Sequence, residues 1–242
     1  MTPIEIPNLV TILAHRFSGS HFALFLGQWE NVIFSLLVAC VIILIATLAA
    51  RKKRLIPGRL QAACELVFGG IDEFVCGILG PGGRKYTPFI GTLFIYILFM
   101  NLLGLIPLMK SPTSSLSTTF ALAICVFVYV QFTAIREQGF LGYLDHLAGK
   151  PRGIIAATVF MPIMMFFMHI VSELVKPVSL SLRLRSNILG DDMLLSVLSS
   201  LGLWWVPLLV FSSLLVILAA VMQAIIFSLL TTIYFALVLE QE

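Results

Sequence analysis

The chain has 242 residues, 60% of them apolar and only 11% charged, against about 45–50% and about 25% in a soluble domain. So few charges cannot coat a water-facing surface of that size, which excludes a soluble globular protein and places the chain in a bilayer. A net charge of +3 without any basic run interleaved with aromatics gives no footing for a nucleic-acid partner. The four cysteines (Cys40, Cys64, Cys76, Cys125) have no metal-ligand spacing, so no metal or cofactor is expected.

Taken in chain order, residues 1–28 read as an N-terminal segment, and 29–50 as the first membrane helix. That apolar run is too long for the core of a cleavable signal, and its basic cluster follows rather than precedes it. Residues 59–79 are too polar to cross. Leu60, Cys64, Val67, Phe68, Ile71, Phe74, Val75 and Ile78 recur at helical spacing, so this stretch reads as an amphipathic helix on the inner membrane surface. Membrane helices follow at 86–109 and 111–135, then a short polar loop at 136–152. A long helix is expected over 155–196, bent at Pro177 where a backbone donor is missing. Gly202 and Pro207 mark a turn, and the last helix runs over 205–239. The fold class is all-α integral membrane: five membrane-crossing helices plus one amphipathic surface helix in a single membrane domain.

Positive charge orients this arrangement. Ten basic residues (Arg51, Lys52, Lys53, Arg54, Arg59, Arg84, Lys85, Arg136, Lys150, Arg152) fall on one side, and only Arg16 and Lys110 on the other. By the positive-inside rule the N-terminus is outside and the C-terminus cytoplasmic. Length adds a constraint. From Ile155 to Arg183 is about 28 steps, or about 42 Å of helix, more than a hydrocarbon core of about 30 Å. A tilt of about 60–70° would bring Arg183 to the midplane, so the last two helices are expected as a steeply tilted antiparallel hairpin, with Gln223 across from the Arg183–Asn187 region.

The charges inside the fourth span carry the functional signal. Glu173, Lys176, Arg183, Arg185, Asp191 and Asp192 follow His169 within one apolar helix. Each costs about 2.5–3.5 kcal/mol near the bilayer centre, and such residues mark ion pathways. His169, Glu173, Lys176, Arg183, Asn187 and Asp191 fall on one stripe less than about a quarter-turn wide, with Arg185 and Asp192 nearly opposite. Arg183 stays protonated even in low dielectric and suits attracting a carboxylate that moves past it. The bland alternatives are mutual pairing, above all Glu173 with Lys176, and snorkelling. Gln223 in the last helix and Asn101 in the second span serve either as interhelical hydrogen-bond groups or as channel lining; spacing does not separate the two.

The stretch KPVSLSLRLRSNILGDD (176–192) resembles the signature of subunit a of the F-type ATP synthase. VMQAIIFSLLTTIYFAL (221–237) resembles that family's final helix, and FMNLLGLIP (99–107) the end of its second span. The resemblance implies a proton-conducting stator subunit with no catalytic site of its own, providing two half-channels to and from carboxylates of a rotating c-ring. It implies as partners the c-ring, peripheral-stalk subunit b, the other ATP synthase subunits and membrane lipid, in a bacterial inner membrane. By motif, Arg183 corresponds to the essential arginine, Asn187 to the asparagine after it, and Asp192 to an acidic or histidine channel residue. Gln223 corresponds to the last-helix glutamine, Asn101 to the asparagine of NLLGLIP, and His169 to an inner half-channel position often held by Glu. The ion-translocation set is thus Arg183, Asn187, Asp191, Asp192, Gln223, His169, Glu173 and Asn101, with Lys176 and Arg185 as auxiliary charges. Two departures stand out: Arg185–Ser186 replaces the usual Phe-Gly, and Val216 stands where many members carry His or Glu, which shifts the outer path onto Asp191 and Asp192.

The competing class is an ion-coupled secondary transporter or stand-alone channel. Such proteins often show two matching halves, and no internal repeat is visible. A membrane enzyme finds little support, since neither a Ser/His motif nor a phosphate-binding loop is present.

Overall fold

The computed structural model describes residues 29–51, 58–106, 109, 111–147, 155–200 and 206–239. The N-terminal segment 1–28, Lys52–Arg54, Lys110, Lys150, Arg152 and residues 201–205, near the expected turn, lie outside the described residues. Among the described residues there are six helices: α1 (Glu30–Arg51), α2 (Arg59–Leu79), α3 (Thr87–Leu103), α4 (Leu116–Leu147), α5 (Ile155–Ser200) and α6 (Val206–Leu239). Short 3-10 turns at Pro81–Lys85 and Pro112–Ser114 precede α3 and α4.

The structure is all-helical among the described residues, and three stretches are long and apolar enough to cross a membrane: Glu30–Leu48, Leu116–Glu137 and Val206–Leu239. The five expected crossings are therefore not all matched on length and apolarity. Helix α3 is strongly apolar but has only 17 residues, because Gly104 and the turn at 104–106 end it before the expected 109. Helix α5 is long enough but carries the charges described above.

Two other boundaries differ from the sequence reading. The expected polar loop at 136–152 is helical through Leu147, interrupted only at Gly139 (φ 72°, ψ 158°), where the missing Cβ permits a positive φ. Arg136, Glu137 and Gln138 are good helix formers whose polarity imitated a loop, and Lys85 holds Glu137 in place at 2.5 Å. Helix α5 continues one turn past Ser196, to Ser200, with Pro177 inside it. Helix α2 ends at Leu79, followed by Gly80 (φ 72°) and Pro81.

The core gathers around α3 and α6. Ile90, Ile97 and Met100 are fully buried with Phe227 and Phe235, and Val126 and Leu184 close over them from α4 and α5. An aromatic cluster ties three helices at one level: Tyr86 stacks on Phe235 at 4.7 Å and Phe89 on Tyr129 at 4.3 Å. Away from this core, α1 buries Phe34 and Val38 among its apolar side chains, while Leu36, Ile43 and Leu44 stay exposed. In water those faces would be untenable; in a bilayer they meet lipid. The C-terminal half of α2 is held by Val75, whereas Leu66, Val67 and Phe68 remain uncovered.

Candidate functional site

Helix α5 packs through one narrow face. Pro177, Leu180, Ser181, Leu184 and Ile188 are buried, recurring at the three- and four-residue steps of a helix contact. The polar stripe read from the sequence lies along the edge of that face, so its members are half-covered or exposed.

At the lower end of the stripe the charges are satisfied within the chain. Gln131 of α4 donates its Nε2–H to Glu173 Oε2 at 2.7 Å, and Lys176 pairs with the other oxygen of the same carboxylate. The Lys176 ammonium also lies 5.3 Å from the centre of the Tyr234 ring on α6, a cation–π distance. A cleft of about 10 Å³, bordered by Glu173, Lys176 and Tyr234 among apolar neighbours, opens beside them; that is about the room of one water. His169, one turn below, is partly exposed, with Nδ1 3.0 Å from the Met165 carbonyl.

Higher on the helix the pattern changes. Asn187 donates its Nδ2–H to Gln223 Oε1 at 2.7 Å. Gln223 is itself 1% exposed, and its Nε2 has no partner. Stepping from Asn187 back to Lys176 and from Gln223 on to Tyr234 covers eleven residues on each helix. Eleven residues is about three turns, so α5 and α6 run antiparallel and in register between these contacts. Arg183 stands between the two levels, exposed, and takes part in no ion pair among the described residues. An always-protonated guanidinium is left on the outer flank of the hairpin.

The remaining predicted residues divide in two. Arg185 is partly buried, with its Nε–H unpartnered, and Asp191 has one buried carboxylate oxygen without a donor. Asp192 is partly buried and engaged within the chain. Val216 is buried in α6 and brings no polar group to this level. Asn101, 2% exposed near the end of α3, has its amide 2.9 Å from Thr113 Oγ1, so its hydrogen bond is to the turn before α4 rather than to the Asn187–Gln223 pair.

Sequence reasoning missed Gln131, Tyr234, Ser111 and Thr113. Gln131 had a signal, being a lone amide in an apolar span. Tyr234 could have been found from its spacing of about three turns from Gln223. Ser111 and Thr113 carried none, because hydroxyls commonly bond their own backbone.

Against known proteins, the sequence pattern of the family described as ATP synthase A chain matches residues 32–236. The ATP synthase subunit a of Protochlamydia amoebophila is 43% identical over 98% of this chain and 90% of its own length. That of Campylobacter concisus is 39% identical over 83% and 85%, and that of Helicobacter pylori 36% identical over 94% of each.

Proposed function

This chain belongs to the ATP synthase A chain family, and on that premise we propose that it is the stator subunit that carries protons to and from a ring of carboxylates. As a subunit a it is a multi-pass membrane component of an F-type ATP synthase, non-catalytic, with the other synthase subunits as partners. A proton enters by an outer half-channel through Asp192, Asp191, Asn101 and Gln223, neutralises a ring carboxylate, travels with the ring, and leaves past Glu173 and His169. Arg183 lies between the two paths and prevents direct leakage by attracting each ionised carboxylate as it passes. The chain crosses a bacterial inner membrane five times, N-terminus outside, with α5 and α6 steeply tilted so that their common face meets the ring. Subunit b of the peripheral stalk holds it against rotation.

One observation carries this reading. Arg183 is an exposed, unpaired, permanent cation beside the Asn187–Gln223 hydrogen bond, on a helix whose Lys176 is already paired. A fixed charge in a membrane needs an anion, and no carboxylate among the described residues forms an ion pair with it. A ring carboxylate is an anion of the right kind, and it arrives from outside the chain. A stand-alone channel would have to leave that charge facing lipid.

Cysteine cross-linking tests the proposal. Ser179 and Ser186 are exposed near Arg183 on α5. Ser179→Cys and Ser186→Cys, introduced singly into the assembled synthase, are expected to form disulfides with a cysteine placed beside the ring carboxylate. Failure of both, in a complex containing the ring, would place the ring elsewhere.

A further inference from the structure

Two hydroxyls between α3 and α4 make three contacts. Ser111 Oγ lies 3.0 Å from the Met100 carbonyl, 2.6 Å from Thr113 Oγ1, and Thr113 Oγ1 lies 2.9 Å from the Asn101 amide. All three residues that bring side chains are buried, at 2% exposure or less. With the Asn101 oxygen toward Thr113, both ends of this chain are acceptors. Three contacts then require three hydrogens, and the two hydroxyls own one each. One contact would be left without a hydrogen, while Asn101 Nδ2 stands buried and unpartnered. Unpaired buried N–H groups are the rarer defect in native proteins.

Turning the amide over removes the deficit. Oxygen and nitrogen of an asparagine are assigned from the surrounding network. Asn101 Nδ2–H then donates to Thr113 Oγ1, Thr113 donates to Ser111 Oγ, and Ser111 donates to the Met100 carbonyl. Every contact has its hydrogen, and the short 2.6 Å spacing becomes an ordinary hydroxyl pair. The amide oxygen now points where the unpartnered nitrogen had been, into buried space where the nitrogen had no acceptor.

We infer that Ser111 and Thr113 are positioning residues that lock the Asn101 amide, so that it presents its oxygen, a hydrogen-bond acceptor, to the proton path. This rests on the assignment of Asn101 to that path. An acceptor can hold a water or a hydronium by a donated hydrogen, whereas an amide NH2 group would repel the latter. The hydroxyl chain is anchored on a backbone carbonyl of α3, so turning the amide leaves one of the three buried contacts without a hydrogen.

Two measurements on the assembled synthase test it. With ¹⁵N-labelled asparagine, solid-state NMR reads the Asn101 Nδ2–H directly. Thr113→Val should move that resonance toward a weaker hydrogen bond, and Thr113→Ser should restore it; an Nδ2 signal indifferent to Thr113→Val overturns the inference. In inverted membrane vesicles, Thr113→Val should slow ATP-driven proton pumping by about fivefold, with Thr113→Ser close to wild type. In an Asn101→Leu background the Thr113→Val change should add less than about twofold. Full additivity, or normal pumping by Thr113→Val while Asn101→Leu is impaired, also overturns it. If Asn101→Leu pumps normally while the NMR shift is seen, the amide orientation stands and the assignment of Asn101 to the path fails instead.

Discussion

The two ends of the polar stripe on α5 solve the same problem in opposite ways. Glu173 and Lys176 neutralise each other, with Gln131 and Tyr234 supplying further contacts. Seven residues above Lys176, Arg183 has no ion-pair partner among the described residues, Asp191 keeps an unpartnered oxygen, and Gln223 an unpartnered nitrogen. Pairing offsets most of the cost of a membrane charge. A helix that can pair its charges at one level and leaves them open at another is holding the second level for something that arrives from outside. The lower level is structural first; the upper one is kept available.

This contrast breaks most sharply at Arg183. Arg183→Ala in the assembled complex is expected to reduce ATP-driven proton pumping to below about a hundredth of wild type, with the subunit still present by immunoblot. Assembled complexes that pump at the wild-type rate would mean the open charge has no work to do. Next in size is the outer pair. Asp191→Asn with Asp192→Asn should slow pumping by about tenfold or more, since a relay needs an ionisable group, whereas Arg185→Ala should cost about twofold or less. Equal rates for the double variant and wild type would place the outer path elsewhere. The lower level should respond in kind rather than degree. Glu173→Gln is expected to lower the yield of intact complex by about half, because Lys176 loses its counter-ion, with a smaller change in the rate per assembled complex. A rate loss as deep as that of Arg183→Ala would erase the distinction between the two levels.

Much of this contrast was legible in the sequence. Charges in an apolar helix are rare enough to be read directly, and their three- and four-residue spacing put Glu173, Arg183 and Asn187 near one edge. The Glu173–Lys176 pair was legible as an alternative from its spacing within α5, but the further contacts that complete it were not, because they come from other helices. Gln131 and Tyr234 decide that Glu173 and Lys176 are saturated, and nothing local to either residue says so. The fold shows the same division. Apolar length marked α1 and α6, while the polar run at Arg136–Gln138 looked like a loop until the Lys85 contact and the isolated break at Gly139 showed it to be helix. The turn between α3 and α4 was the least readable part, since the value of Ser111 and Thr113 lies in a proton count across three residues.

The smallest expected effect tests whether charge pairing outside the apolar spans behaves as an ordinary ion pair. Lys85, in the turn before α3, sits 2.5 Å from Glu137 on α4. The hydrogen bond to Glu137 raises the lysine pKa above its ordinary value, with the Tyr86 hydroxyl a lesser contributor. A raised lysine pKa means that the folded state holds its proton more tightly than the unfolded chain does. The stabilisation is therefore complete below the unfolded lysine pKa of about 10.4 and is lost as pH rises through the higher folded value. Both side chains are well exposed, at 53% and 34%, so solvent and salt screen the pair and its contribution is small. Lys85→Met should lower the melting temperature of the detergent-solubilised complex by no more than about 2 °C. That difference should hold constant from pH 7 to about pH 9 and shrink above about pH 10.4. It should also diminish in high salt, where screening of exposed charges is greatest. A difference that instead fell away between pH 7 and pH 9 would show that Lys85 is not protonated as this contact requires, and that α4 is held at Glu137 by something other than charge.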